Sequence, residues 1–294
     1  MKPAPFEYFA PDSLEHALAL KAQHGEDAKP LAGGQSLIPA MNFRVAQPSI
    51  LVDLNKIPEL GYIKKQNGET RIGAMTRQAT VERSPEIKGF DPLLHAIMPF
   101  IAHPQIRNRG TFGGSLAHAD PAAELPVYAI ARDIRFKAQS QSGERWIAAK
   151  DFYKGLFSVD LRPDEILVEI GIPAFPKNTG WSFTEVARRH GDYAMAGVIA
   201  LVALKDDGTC QSARLVYLNV GDGPMDAVEA AGTLVGTKIS TKKIQDAASL
   251  ASEKEITPFG NVHATPEYQT HLSKVLTERA IAEALDRAKA AIKD

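Results

Sequence analysis

Three glycine-bearing turns, each set between short β-prone runs, constrain this chain more than any other feature. Asn67-Gly68 lies between Tyr62-Ile63-Lys64 and Thr70-Arg71-Ile72, Ser142-Gly143 between Arg135–Ala138 and Arg145–Ile147, and Asp207-Gly208 between Val198–Leu204 and Ala213–Val220. Such pairs tolerate the backbone values of a tight hairpin, so each reads as two antiparallel strands joined locally. The hairpin texture starts at about Ile57. Before it the signals alternate. Asp12 or Ser13 can cap a helix carrying Leu14, Ala17, Leu18 and Ala22 and ending near Gly25. Pro30-Leu31-Ala32 then runs into Gly33-Gly34, a short helix is expected from Ser36 to Phe43, and Ile50–Leu54 reads as a buried strand. Strand, glycine turn, helix and strand predict a small parallel unit.

Between the first two hairpins, Asp91 to Tyr128 is rich in Gly, Pro, Asn and His and reads as a long irregular, functional stretch. Ile172–Asn178, with its two prolines, reads as a linker. Two helices close the chain. Thr241 is expected to cap the first, with Ile244, Ala247, Ala248 and Ala251 on one face, and the second starts near Pro266. A length of 294 residues suits about two domains at roughly 150 residues each. The balance of 34 basic and 35 acidic residues argues against a dedicated nucleic-acid or anionic-membrane surface. The longest apolar run, Ala194 to Leu204, is 11 residues, short of the roughly 18 of a membrane span. Met1–Ser13 lacks the cationic start and apolar run of a signal peptide. A single cysteine, Cys210, can form neither an internal disulfide nor an all-cysteine zinc or iron–sulfur site. A cytoplasmic chain is expected, with any iron–sulfur chemistry left to a partner.

The residue types that carry chemistry converge on two glycine pairs: Ala32-Gly33-Gly34-Gln35-Ser36 and Thr111-Phe112-Gly113-Gly114-Ser115, each ahead of an expected helix. Glycine lets successive N–H groups converge in an anion-binding nest, and a helix N-terminus adds unpaired donors. Ser36, Thr111 and Ser115 add hydroxyls without charge, so two facing loops suit a diphosphate. A pair of tight turns is the alternative, and spacing does not separate the two. Neither GxGxxG after a strand nor GxxxxGK[ST] occurs. His118, Asp120 and Glu124 read as pocket-lining polar groups, with a zinc site drawn from them and His103 a weaker reading. Arg107, Arg109, Arg188 and Arg189 suit either phosphate contacts or ion pairs. Tyr193 suits either an aromatic lid over a planar ligand or a core position.

At these loops the sequence resembles a known family. "LAGGQSLIPAMNFR", "PQIRNRGTFGGSLAHADPAAELP", "LRPDEILVEIGIP", "ARRHGDYAMAGV" and "EYQTHLSKVLTERAIAEAL" are similar, in order and along essentially the whole chain, to the FAD-binding medium subunits of molybdenum hydroxylases, the carbon monoxide dehydrogenase medium-chain and xanthine dehydrogenase flavoprotein family. The resemblance implies an α+β chain with a vanillyl-alcohol-oxidase-like (PCMH-type) FAD-binding domain. That domain has two subdomains, 1–57 and 58–175, and a C-terminal domain of antiparallel sheet and helices follows at 178–294. It implies that Ala32, Gly33, Gly34, Gln35 and Ser36, with Thr111, Gly113, Gly114 and Ser115, wrap the pyrophosphate of FAD. Ile101, Ala102 and Ile106 line the adenine side, Asp120 and Glu124 lie near the ribityl and flavin, and Leu167 and Tyr193 lie near the isoalloxazine. No side chain acts on the organic substrate. The partners implied are a small subunit with 2Fe–2S clusters and a large subunit with the molybdenum cofactor, in a dimer of heterotrimers. Gln35 stands in place of the histidine of several relatives, among which glutamine is also common, and Glu185 stands where many relatives carry a lysine, which alters the local charge expected near the flavin. A stand-alone flavin-dependent oxidoreductase and a non-catalytic nucleotide-binding scaffold are the alternatives.

Overall fold

The alternating N-terminal signals fold as a parallel unit. β1 (Glu7–Phe9), α1 (Leu14–His24), β2 (Ala28–Leu31), α2 (Leu37–Asn42) and β3 (Ile50–Asp53) follow in sequence, and β3 pairs in parallel with both β1 and β2. The Ser13 hydroxyl accepts from the His16 amide to start α1, and Gly25, at φ 54°, ends it. β1 was not expected: it is three residues long and two of them are exposed, so it leaves no alternation to read. The computed structural model describes residues 1–292 of the chain.

The next body holds β4 (Ile63–Gln66), β5 (Glu69–Gly73), α3 (Gln78–Arg83), α4 (Pro85–Phe90), α5 (Pro92–Ile97), α6 (Pro104–Arg109), α7 (Phe112–His118) and α8 (Glu124–Ala131). It continues with β6 (Arg135–Ser140), β7 (Gly143–Ala148), α9 (Ala149–Phe152), β8 (Tyr153–Gly155), β9 (Ser158–Val159) and β10 (Ile166–Ile172). Its main sheet is antiparallel, in the order β4-β5-β10-β6-β7. The first hairpin turns as expected, with Asn67 at φ 53° and Gly68 at φ 77°. The second is displaced by one residue: Gly143 pairs with Ser140, so Gln141-Ser142 make the turn. The irregular stretch expected over Asp91–Tyr128 is instead a chain of short helices. Pro92 and Pro104 stand in their first turns, where a missing N–H costs nothing, so the prolines start helices rather than exclude them.

The last body is β11 (Thr179–Ala187), β12 (Ala194–Leu204), β13 (Cys210–Leu218), β14 (Met225–Asp226), α10 (Val228–Gly232), α11 (Thr241–Leu250) and α12 (Pro266–Ala291). The sheet is antiparallel in that order. Ser240, not Thr241, caps α11, its hydroxyl accepting from the Lys243 amide. All of β12 is buried. Ala196, Val198, Ala200 and Val202 pack on the α12 side, and Ile199 and Leu201 face the core of the preceding body. A strand covered on both faces has no polar face to alternate, which explains the continuous apolar run.

α12 crosses the sheet directly over Gly180, where an added Cβ would fall on the Ala284 carbonyl and the Ala288 nitrogen. Gly180→Ala is expected to lower stability by about 1–3 kcal/mol through overpacking. Urea unfolding, followed by circular dichroism, checks this against wild type.

Candidate functional site

The first glycine loop leaves β2 at Leu31 and enters α2 at Leu37. Gly34 sits at φ 72°, and the loop turns there in a conformation that residues with a Cβ rarely adopt. The backbone N–H groups of Gly33, Gly34, Gln35 and Ser36 donate to no acceptor among the described residues. The Ser36 hydroxyl caps nothing, and the Gln35 amide turns back to the Gly33 carbonyl at 3.2 Å. Half-buried consecutive donors without partners are what a cradle for an anion requires.

The second pair is built differently. Gly113 and Gly114 lie inside the first turn of α7, not in a loop before it. The Gly113 amide donates to the Ala74 carbonyl at 2.9 Å and the Ser115 amide to the Thr111 carbonyl at 3.2 Å. The Gly114 amide donates to the Thr111 hydroxyl at 3.1 Å, the N-cap of the helix. The expectation of two matched nests is therefore corrected: these amides are already engaged because they open a capped helix. Glycine is required here for packing. A Cβ at Gly113 would stand 2.7 Å from Ala74 Cα, and one at Gly114 would meet Ala32 Cβ at 3.2 Å.

The two glycine segments do face each other. A Cβ at Gly33 would lie 2.5 Å from the Arg109 carbonyl oxygen and 2.7 Å from Gly110 Cα. Two side chains clamp this junction. Asn55 donates to the Ala32 carbonyl at 2.8 Å, and Arg77 donates to Asn55 Oδ1 at 2.7 Å and to the Arg109 carbonyl. Burial, and then the nearby Arg109 charge, push the Arg77 pKa down against the pull of Asp53, so this corner favours an added anion. A cleft of about 360 Å³ opens here, lined by Ala32–Gln35, Ile38, Asp53, Asn55 and Arg109. Asn55 and Arg77 were missed from sequence. Asp53-Leu54-Asn55 offered an Asx-turn signal, since Asp53 Oδ1 accepts from the Asn55 amide at 2.9 Å; nothing near Arg77 offered one.

A second group of expected residues gathers around the turn before α6. Arg107 is buried and bidentate to Glu82 at 2.8 and 2.9 Å. It also donates to the carbonyls of Ile101 at 2.8 Å and Ala102 at 3.1 Å. Arg107 therefore shapes this turn as an ion-paired strut. Ile101 is buried, Ala102 sits at φ 44°, and Ile106 is half-buried beside them. The Gly191 turn rests on His103 and on the Ala102 carbonyl, and it carries Tyr193, 66% exposed and so not a core residue.

Farther along, His118 packs against Phe157 with ring centroids 5.1 Å apart and the ring planes tilted by 42°, and burial lowers its pKa. Asp120 accepts from the Ala122 amide at 2.9 Å. Glu124 is 8% exposed; burial pushes its pKa up to about 7. The Tyr193 pKa is raised, first by partial burial and then by the charges of Asp120 and Glu124. Leu167 is buried in β10, where the register with β6 shifts after it. Among the described residues no three His, Cys, Asp or Glu side chains gather as metal ligands, and no helix is long and apolar enough to cross a membrane.

Comparison with known proteins follows from this geometry. Residues 4–175 match the family described as FAD binding domain in molybdopterin dehydrogenase, and residues 181–284 match the CO dehydrogenase flavoprotein C-terminal domain. The chain belongs to the FAD-binding medium subunits of molybdenum hydroxylases. One relative is the 6-hydroxypseudooxynicotine dehydrogenase complex subunit alpha of Paenarthrobacter nicotinovorans, 44% identical over 98% of this chain and 97% of its own. Another is the carbon monoxide dehydrogenase medium chain of Hydrogenophaga pseudoflava, 38% identical over 96% and 97%. Among solved structures, carbon monoxide dehydrogenase from H. pseudoflava matches with a TM-score of 0.93 at 38% identity, covering 98% of this chain and 99% of that one. Quinoline 2-oxidoreductase from Pseudomonas putida 86 matches with a TM-score of 0.92 at 36% identity, covering 99% and 100%. As a medium subunit the chain is an oxidoreductase subunit with the PCMH-type FAD-binding domain and a C-terminal domain of mixed sheet and helix.

Because Arg107 holds the Glu82 carboxylate and the carbonyls of Pro99, Ile101 and Ala102 at once, Arg107→Lys is expected to cost about 1.5–3 kcal/mol, the range for hydrogen bonds to a charged group. Differential scanning calorimetry of the purified variant measures the loss.

Proposed function

We propose that this chain binds FAD across the cleft and carries electrons from the 2Fe–2S clusters of a small subunit to an external acceptor, in a complex whose large subunit holds the molybdenum cofactor. The observation that carries the reading is the run of half-buried, unpartnered amides from Gly33 to Ser36, set against the side-chain-free start of α7. Their chemistry fits a pyrophosphate, with donors supplied by backbone and by the Ser36 and Ser115 hydroxyls, and cationic character by Arg109. In this assignment Ala32, Gly33, Gly34, Gln35 and Ser36 hold the pyrophosphate from one side; on the other the absence of side chains at Gly113 and Gly114 lets it approach, and the Thr111 and Ser115 hydroxyls donate. Ile101, Ala102 and Ile106 wall the adenine. Asp120 and Glu124 accept from the ribityl and flavin, Leu167 backs the isoalloxazine, and exposed Tyr193 covers it.

When bound, FAD supplies the redox chemistry, and the protein supplies orientation and electrostatics. Asn55 and Arg77 fix the distance between the two glycine segments, and Arg107 fixes the turn that shapes the adenine wall. The division we adopt is 1–57 and 58–175 for the two FAD-enclosing subdomains and 178–294 for the C-terminal domain. A dimer of heterotrimers in the cytoplasm is the proposed assembly, supported by the medium-chain relatives and by one cysteine that is buried and free.

The direct test is the absorption spectrum of the purified chain after addition of FAD. A flavin spectrum that survives gel filtration is expected, and its absence defeats the reading. Gly34→Ala sharpens it. An alanine at φ 72° costs about 1–2 kcal/mol, so the free loop relaxes and must be restored on binding. FAD is expected to bind about tenfold more weakly. Unchanged affinity, read by fluorescence titration, would remove this loop from the site.

A further inference from the structure

We propose that Asn219, seated on Gln269, is a positioning residue for the flavin end: it holds the strand start that carries Tyr193 and the turn that carries Asp120 as one unit, a role that rests on the FAD reading above. Tyr193 stands immediately before β12, and that strand begins irregularly. Val186 of β11 pairs with Ala196 and Ala187 with Ala194, so Met195 is an extra residue with no partner across the ladder. A bulge of this kind bends its strand and re-aims the side chains beside it. On the opposite edge, the pairing of β12 with β13 stops at Gly197 and Leu218. The next residue, Asn219, turns away at φ 57°, a conformation that asparagine tolerates better than most residues. The buried Ala194 and Met195 thus lie beyond the end of the ladder on that edge.

Two buried side-chain amides take up their carbonyls. Asn219 Nδ2 donates to the Ala194 carbonyl. Gln269 Nε2 donates to the Met195 carbonyl at 2.9 Å and to the Asn219 carbonyl at 2.7 Å. Gln269 is fully buried near the start of α12, and its Oε1 accepts from the Gly260 amide at 2.9 Å. Asn219 has a second hold, since its backbone amide donates to the Pro121 carbonyl at 2.8 Å. Pro121 follows Asp120 in a turn closed by the Ala122 amide on the Asp120 carboxylate at 2.9 Å and by the Ala123 amide on the Asp120 carbonyl at 3.0 Å. One buried residue therefore joins two segments that are distant in sequence, each adjoining a residue assigned to the flavin. These bonds form where strand pairing has already ended. What they fix is the direction in which Tyr193 leaves the sheet, and buried, satisfied amides fix it stiffly.

Asn219→Gly is the informative variant, because glycine takes φ 57° without strain and loses only the side-chain donor. Asn219→Asp is its companion, keeping the shape but turning a carboxylate oxygen towards the Ala194 carbonyl. In the full chain without FAD, hydrogen–deuterium exchange of the first residues of β12 is expected to run about tenfold faster in both variants, the equivalent of one buried hydrogen bond. The parallel unit from Glu7 to Asp53 is expected to be unchanged. Wild-type exchange in both variants overturns the tie, whether or not the chain binds flavin. With FAD added, flavin emission is compared in wild type, Tyr193→Leu, Asn219→Gly and the double variant. A phenol beside a flavin quenches its emission, so each single variant is expected to be brighter than wild type. The double variant is expected to be no brighter than Tyr193→Leu alone, since Asn219 acts through Tyr193. Additive gains, or unchanged emission in either single variant, overturn the positioning role. Wild type that takes up no FAD while the exchange result holds overturns the FAD reading instead and leaves the tie made by Asn219 standing.

Discussion

The cleft depends on one close approach of backbone to backbone. Gly33 lies against Arg109-Gly110 so tightly that no side chain can stand between them, and this brings a loop of the parallel unit onto the helical stretch of the next body. Contact of that kind is not self-supporting, because neither segment offers apolar surface to bury. The hydrogen bonds from Asn55 to Ala32 and from Arg77 to Asn55 and Arg109 replace the missing packing. They use up carbonyls and leave the Gly33–Ser36 amides open. Donors therefore face the cleft while acceptors are tied back, and that polarity makes the site selective for an anion.

How much of this was legible in the sequence depended on how local its cause was. The hairpin at Asn67-Gly68, the helix from Ser13 to Gly25 and the parallel pairing of β2 with β3 all follow from turn chemistry or capping within a few residues. The Asp91–Tyr128 stretch was misread because proline and glycine signal both loops and helix starts, and only the surrounding core distinguishes the two uses. Gly113 and Gly114 show the same ambiguity. Their composition suggested a nest, and their position after the Thr111 cap makes them a helix start packed on Ala74. Asn55 and Arg77 act across more than twenty residues in sequence, and pairings at that range leave no periodic trace.

The C-terminal sheet is more than a cover. β12 is buried on both faces, with α12 on one side and the core beneath α5 and α8 on the other. A strand so held cannot shift register without moving apolar groups into water. It fixes Glu185 on the paired strand and, through the turn at its own start, Tyr193. The flavin end of the proposed site thus takes its geometry from a strand buried on both faces, whereas the phosphate end takes it from a clamp of polar side chains.

These ends also differ in how they handle charge. At the phosphate end, neutral amides and hydroxyls line the cleft beside Asp53, and Arg77 and Arg109 contribute positive potential. At the other end, Glu124 meets the like charge of Asp120, with the already engaged Arg107 as its attractive charge, and Glu185 meets the like charge of Glu124. Burial raises the pKa of Glu124 and of Glu185, because a carboxylate in a low-dielectric pocket is harder to ionise.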